Sequence, residues 1–232
     1  MSNTAVPAFL RIPREIRDQI YGHLLTHPGG FEILLGKYSK HEKSSLEPKL
    51  LLVNRQVSYE ASSILYGRNR FHFNYYLSQV TRFLHTFRPS IVAMFRDLHI
   101  GYADMNLVVK GVQNPEYEEA TEASEEAPKA WEEFCALGSG MHMGILTIDP
   151  VDDIEVWIKV VQHFLEQANV EELRIPNPEF YGSRRPSMTA LLSAGIGEYK
   201  LVREDKEVVG DHRRMMIFLK PQKSDRDNAY SR

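Results

Sequence analysis

Residues 142–175 constrain the fold of this 232-residue chain more than any other stretch. HMGILTID (142–149) reads as a strand, VDDIEVWIKVVQHFLEQA (151–168) as a helix and EELRI (171–175) as a second strand. In the helical segment Val151, Ile154, Ile158, Val161, Leu165 and Ala168 recur on one face, with Trp157 and Phe164 adjoining it. Asp152 and Asp153 suit its first turn, where the helix dipole favours negative charge. Such strand–helix alternation favours parallel strands covered by helices. FRDLHI (95–100) and VEELRI (170–175) share an apolar, charged, acidic, Leu, x, Ile pattern. Two copies so far apart read as similar strands of one sheet rather than as a repeat.

The chain ahead of this unit continues the alternation. In LRIPREIRDQIYGHLL (10–25) Pro13 fits the first turn of a helix, where a missing N–H costs nothing. Ile16, Ile20, Tyr21, Leu24 and Leu25 then share a face, and Arg14, Glu15, Arg17, Asp18 and Gln19 occupy the rest. His27, Pro28, Gly29 and Gly30 form a turn, FEILL (31–35) a short strand and GKYSKHEKSSLEP (36–48) a polar loop. KLLLVNRQVSYEASSILYG (49–67) is helical, with Leu50, Val53, Val57, Ala61 and Ile64 in one stripe and Gly67 placed to end it. RFHFNYY (70–76) alternates as a strand does, which turns Phe71, Phe73 and Tyr75 one way and puts Phe71 and Phe73 inside.

LSQVTRFLHTF (77–87) returns to helical spacing until Pro89 breaks it, and DLHIGY (97–102) is a strand. WEEFCAL (131–137) and SMTALLSA (187–194) read as short helices, GEYKLVRE (197–204) and RRMMIFLK (213–220) as paired closing strands. QNPEYEEATEASEEAP (113–128) is dominated by glutamates and small residues and reads as a solvated loop. PQKSDRDNAYSR (221–232) is a polar tail.

Composition excludes several classes of function. A net charge of −3 does not make a nucleic-acid trap, and the pairs Arg184-Arg185 and Arg213-Arg214 are short and lack interleaved aromatics. One cysteine, Cys135, allows neither an internal disulfide nor a Cys-based zinc site, and its apolar neighbours predict a small buried hydrophobe. His23 and His27 are four apart but lack a third ligand. GSGMHMG (138–144) lacks the strand–loop–helix setting and lysine of a phosphate cradle, and Ser139 lacks that of a nucleophile elbow. No catalytic, metal-binding or cofactor-binding residue is expected. No apolar run reaches the ~20 residues that span a bilayer, and the N-terminus does not read as a secretory signal, so cytosol or nucleus is the expected location.

Ile12-Pro13, Glu15, Ile16, Ile20, Tyr21 and Leu24 follow a spacing that resembles the start of an F-box. LLLVNRQVSYEASSILYGRNRFHF (50–73) resembles a segment of F-box-like proteins of filamentous fungi, carried here by Val53, Arg55, Glu60, Ala61, Leu65, Tyr66, Gly67, Asn69, Phe71 and Phe73. Glu15-Ile16-Arg17 is similar to the Glu-x-Arg motif of a related fungal class. The connector from Thr26 to Pro48 is longer than the usual F-box turn.

The expected fold is α+β or α/β. An F-box-like helical module over residues 1–75 would pack on a mixed, mostly parallel, helix-covered sheet over 76–220, an irregular relative of the leucine-rich arc behind many F-boxes. The resemblance implies a protein–protein interaction adaptor that docks on a Skp1-like adaptor in a cullin-based ubiquitin ligase and selects an unknown protein substrate. Charge and hydropathy, separately, lead to the expectation of no nucleic-acid and no membrane partner. The residues implied to touch the partner are Ile12, Pro13, Ile16, Ile20 and Leu24. Two alternatives stay open: an interaction or scaffold protein in which the same residues are buried in a single fold, and an enzyme of unrecognised type, which would need a pocket with converging polar groups.

Overall fold

The computed structural model describes residues 7–33, 48–73, 77–101, 127–150, 154–176, 196, 199–205 and 215–220. The strands are β1 (Phe31–Ile33), β2 (Arg70–Phe73), β3 (Asp97–Ile100), β4 (His142–Ile148), β5 (Asn169–Pro176), β6 (Lys200–Asp205) and β7 (Met215–Leu219). The helices are α1 (Arg14–Leu25), α2 (Arg55–Arg68), α3 (Leu77–His85), α4 (Pro89–Val92), α5 (Ala127–Gly138) and α6 (Ile154–Gln167). Two short 3-10 turns, Ala8–Arg11 and Pro48–Leu52, precede α1 and α2.

All seven strands join one sheet in the order β1-β2-β3-β4-β5-β7-β6. The first five are parallel, each beside its predecessor in sequence, and β7 closes antiparallel on both β5 and β6. This is a mixed α/β fold with a mostly parallel, helix-covered sheet. Among the described helices, α3, α5 and α6 pack on one face of the sheet, as crossovers of one hand that always step to the next strand require. On that face Phe71, Leu98, Leu146, Leu173 and Phe218 form one cross-strand row, all buried. They pack with Val80 and Leu84 of α3, Trp131 and Phe134 of α5, and Trp157, Val161 and Phe164 of α6 in a single apolar cluster. The segments FRDLHI and VEELRI are indeed two strands of this sheet, β3 and β5, separated by β4.

A second, smaller cluster joins α1 to α2 through Tyr21, Leu25, Val57, Ala61 and Ile64. Asn69, buried just after α2, ties this pair to the sheet. Its Nδ2 donates to the Leu25 and Leu65 carbonyls at 2.8 and 2.7 Å, and its Oδ1 accepts the His27 N–H at 2.7 Å. The turn before β1 closes by a 3.0 Å bond from Gly30 N–H to the His27 carbonyl. Gly30 has φ +73°, a conformation that glycine adopts without strain.

Several local expectations need correction. Val53 does not join the buried stripe of α2: Asn54 caps that helix, its Oδ1 accepting the Val57 N–H at 2.9 Å, and Val53 lies outside at 62% exposure. Gly67 does not end α2, which runs to Arg68 and stops as Asn69 turns extended at φ −106°. Pro89 begins α4 rather than only interrupting α3. α5 starts at Ala127, earlier than its apolar periodicity suggests. The buried face of α6 centres on Trp157, Val161 and Phe164, and Ile158 is half-buried at its rim. Tyr75, residues 113–126, 151–153, 184–185, 187–194, 213–214 and 221–232 lie outside the described residues.

Candidate functional site

The first helical pair is held in register by a buried ionic network. Arg17, expected on the polar side of α1, is instead buried and faces Glu60 of α2. Its Nε donates to Glu60 Oε2 at 2.8 Å and its Nη2 to Oε1 at 2.6 Å, the two-point geometry that a guanidinium and a carboxylate favour. Tyr21 Oη donates to Glu60 Oε2 at 3.0 Å and Gln56 Nε2 to Oε1 at 2.9 Å. The Arg17 bonds hold the Glu60 carboxyl down at about 2, against the desolvation that would raise it. Burial, then the neighbouring Glu60, pushes the Tyr21 hydroxyl up to about 12. Arg17 Nη1 also donates to the Ile12 carbonyl, so the network fixes the backbone that leads into Pro13 and α1.

With Arg17, Tyr21 and Leu25 turned inward, the apolar stripe expected on α1 divides. Tyr21 and Leu25 are core, Ile20 and Leu24 are half-buried, and Ile16 is 45% exposed. Pro13 is exposed and Ile12 half-buried. Leu24 packs against the small cluster. On the helix, Ile16 and Ile20 fall on the flank away from Asp18, which pairs with Arg14 at 2.6 Å.

The sheet face turned away from the helices is polar over its first strands. Glu32, His72, His99, Thr147 and Arg174 follow one another across β1 to β5. The His72 and His99 rings stack at 3.9 Å between centroids with 7° between planes. His99 Nε2 lies 2.8 Å from Asp149 Oδ1, and Trp157 Nε1 donates to the Asp149 carbonyl at 3.1 Å. In the neighbouring row Arg70 pairs with Asp97 at 3.2 Å, and burial raises the Asp97 carboxyl although Arg70 opposes it. His99, Thr147 and Asp149 are all buried. Charge along the sequence does not reveal this cluster, because its members come from separate strands and meet only through the register.

Cys135 is buried, and desolvation pushes its thiol up to about 12, so it stays protonated and non-nucleophilic near neutrality. Among the described residues no group of three or more His, Cys, Asp or Glu is placed to hold a metal ion, and no helix is long and apolar enough to cross a membrane. His23 and His27 are both exposed, and α1 ends at Leu25, before His27. No protein-family model matches the chain, and comparison with curated proteins and with solved structures finds no match.

Proposed function

We propose that the chain is a non-catalytic protein–protein interaction adaptor of F-box-like type, working in the cytosol or nucleus. Its first helical pair docks on a Skp1-like adaptor of a cullin-based ubiquitin ligase, and the sheet body, related to a leucine-rich arc, holds the protein to be modified. The family likeness rests on residues 12–73 alone. The observation that carries the reading is the position of Pro13 and Ile16. Both are exposed on a helix whose other side is clamped by Arg17 and Glu60. An apolar side chain kept in water on a rigid helix gains on burial against a partner's groove. Ile12 and Ile20, half-buried beside them, widen the contact, and Leu24 supports it from behind.

The weld between the helical pair and the sheet favours a second reading. Asn69 bonds both sides of the junction, and β2 pairs with β3 across residue 75. In that case the F-box-like segment belongs to a single scaffold fold and leaves Skp1 unbound. Co-purification with a Skp1-like adaptor, beside an Ile16→Asp, Ile20→Asp double variant, separates the two. A stoichiometric complex lost in a folded variant supports the adaptor. No complex with the wild-type chain leaves the scaffold reading.

A further inference from the structure

We propose that the sheet carries a second protein-binding surface, a groove at its β4–β5–β7–β6 end that takes an apolar peptide segment flanked by carboxylates. It lies at the opposite end of the strand order from α1 and α2, so it stands or falls independently of docking on a Skp1-like adaptor.

The register builds the floor. Ile145 on β4 stands opposite Glu172 on β5, Glu172 opposite Leu219 on β7, and Leu219 opposite Lys200 on β6. These residues form one row on the face away from the helices. Three strand spacings of ~4.8 Å make the row about 14 Å long, which matches roughly four residues of extended chain. The cavity over it measures about 920 Å³. Its apolar lining is open: Leu219 is 39% and Val202 56% exposed, whereas Leu146, Leu173 and Phe218 on the helix side are buried. The register shift between Leu201 and Arg203 falls at Val202, beside this floor.

The charges decide which partner fits. Both groove carboxylates already have donors: Arg174 Nε lies 2.5 Å from Glu172 Oε1, and His142 Nε2 lies 2.9 Å from Glu171 Oε1. Lys200 is exposed and, among the described residues, has no carboxylate at ion-pair distance. Lys220 at the rim places its ammonium 5.9 Å from the Tyr199 ring centroid. A segment that lays apolar side chains over Ile145, Val202 and Leu219 therefore meets unspent positive charge at Lys200. Carboxylates on the segment complement it, and ammonium groups on the segment oppose it.

Fluorescence anisotropy on the full chain tests this with two labelled heptapeptides, Glu-Glu-Leu-Val-Leu-Glu-Glu and its counterpart with lysine in place of every glutamate. The acidic peptide is expected to bind saturably, and the basic one at least about ten-fold more weakly. Lys200→Glu and, separately, Val202→Asp should each weaken the acidic peptide about ten-fold while circular dichroism stays native. Equal binding of both peptides, no saturable binding of the acidic one, or undiminished affinity in a folded Lys200→Glu chain would overturn the proposal.

Discussion

The Arg17 guanidinium and the Glu60 carboxylate face each other through two hydrogen bonds of 2.8 and 2.6 Å, 43 residues apart in sequence and buried in the fold. The pair sits between α1 and α2, and the same guanidinium holds the Ile12 carbonyl. One contact therefore sets both how the helices pack and how the chain enters α1. The residues proposed to meet a partner inherit their position from it.

Removing one side of such a pair leaves the other charge buried without its counter-ion. Glu60→Gln should lower unfolding free energy by about 3 kcal/mol, measured by urea titration, since a lone buried guanidinium is far costlier than a paired one. The neutral amide can still accept one bond, so the loss should be smaller than in Glu60→Ala. Under the adaptor reading, Glu60→Gln should also weaken capture by a Skp1-like adaptor, although Glu60 is buried, because the Ile12–Pro13 backbone loses its anchor.

The same network predicts a window of pH stability. The Glu60 carboxyl falls from an ordinary 4.5 to about 2 in the fold, so its contribution is complete above about 4.5 and disappears as pH drops towards 2. The Tyr21 hydroxyl rises from 10.0 to about 12, so its contribution is complete below about 10 and disappears as pH climbs towards 12. Unfolding titrations of the wild type and Glu60→Gln across pH should differ by a constant amount in the neutral range and converge in acid. Curves that stay parallel down to the lowest pH would show that Glu60 is not the titrating group.

Gly30 offers a backbone test. Its φ is +73°, and a Cβ there would lie 2.7 Å from the Arg70 carbonyl oxygen, at the start of the β1–β2 pairing. Gly30→Ala combines left-handed strain with a clash against main chain that cannot swing aside. It should cost about 2 kcal/mol and shift the melting temperature down. Gly29→Ala, whose Cβ meets only the His27 ring at 3.4 Å, should have much less effect.

Periodicity made much of the sheet legible. Phe71 and Phe73 are inside as their alternation requires, and HMGILTID, helix and EELRI form β4, α6 and β5. What stayed hidden depends on partners far away in sequence. Arg17 reads as one of the residues off the apolar face of α1 and Glu60 only as part of the family-like segment, because nothing within a turn of either shows that each neutralises the other. The apolar stripe of α1 looked uniform, yet the placement of Arg17 turns Tyr21 and Leu25 inward and rolls Ile16 outward. The row of His72, His99 and Thr147 needs three strands in register before it exists. The exposure of Val53 follows from Asn54 capping α2, a signal that was present in the sequence as an Asn before a helical stripe.

Cys135 gives a probe of how firmly the helical layer is held. It lies in α5, in the apolar cluster that includes the Phe134–Phe164 stack, whose rings are 5.0 Å apart and 10° from parallel. Desolvation, helped by Glu132, pushes the thiol from 9.0 to about 12, so little thiolate exists at pH 8 and no reagent reaches the sulfur in the closed state. Alkylation of the folded chain by iodoacetamide should run at least about 100-fold slower than in urea, and its rate should follow the opening of α5. Gly138→Ala should accelerate it, because the added Cβ would sit 2.8 Å from Phe164 Cε2 and push that stack apart. Fast labelling of the native wild type would mean that α5 opens far more readily than its packing against α3 and α6 implies.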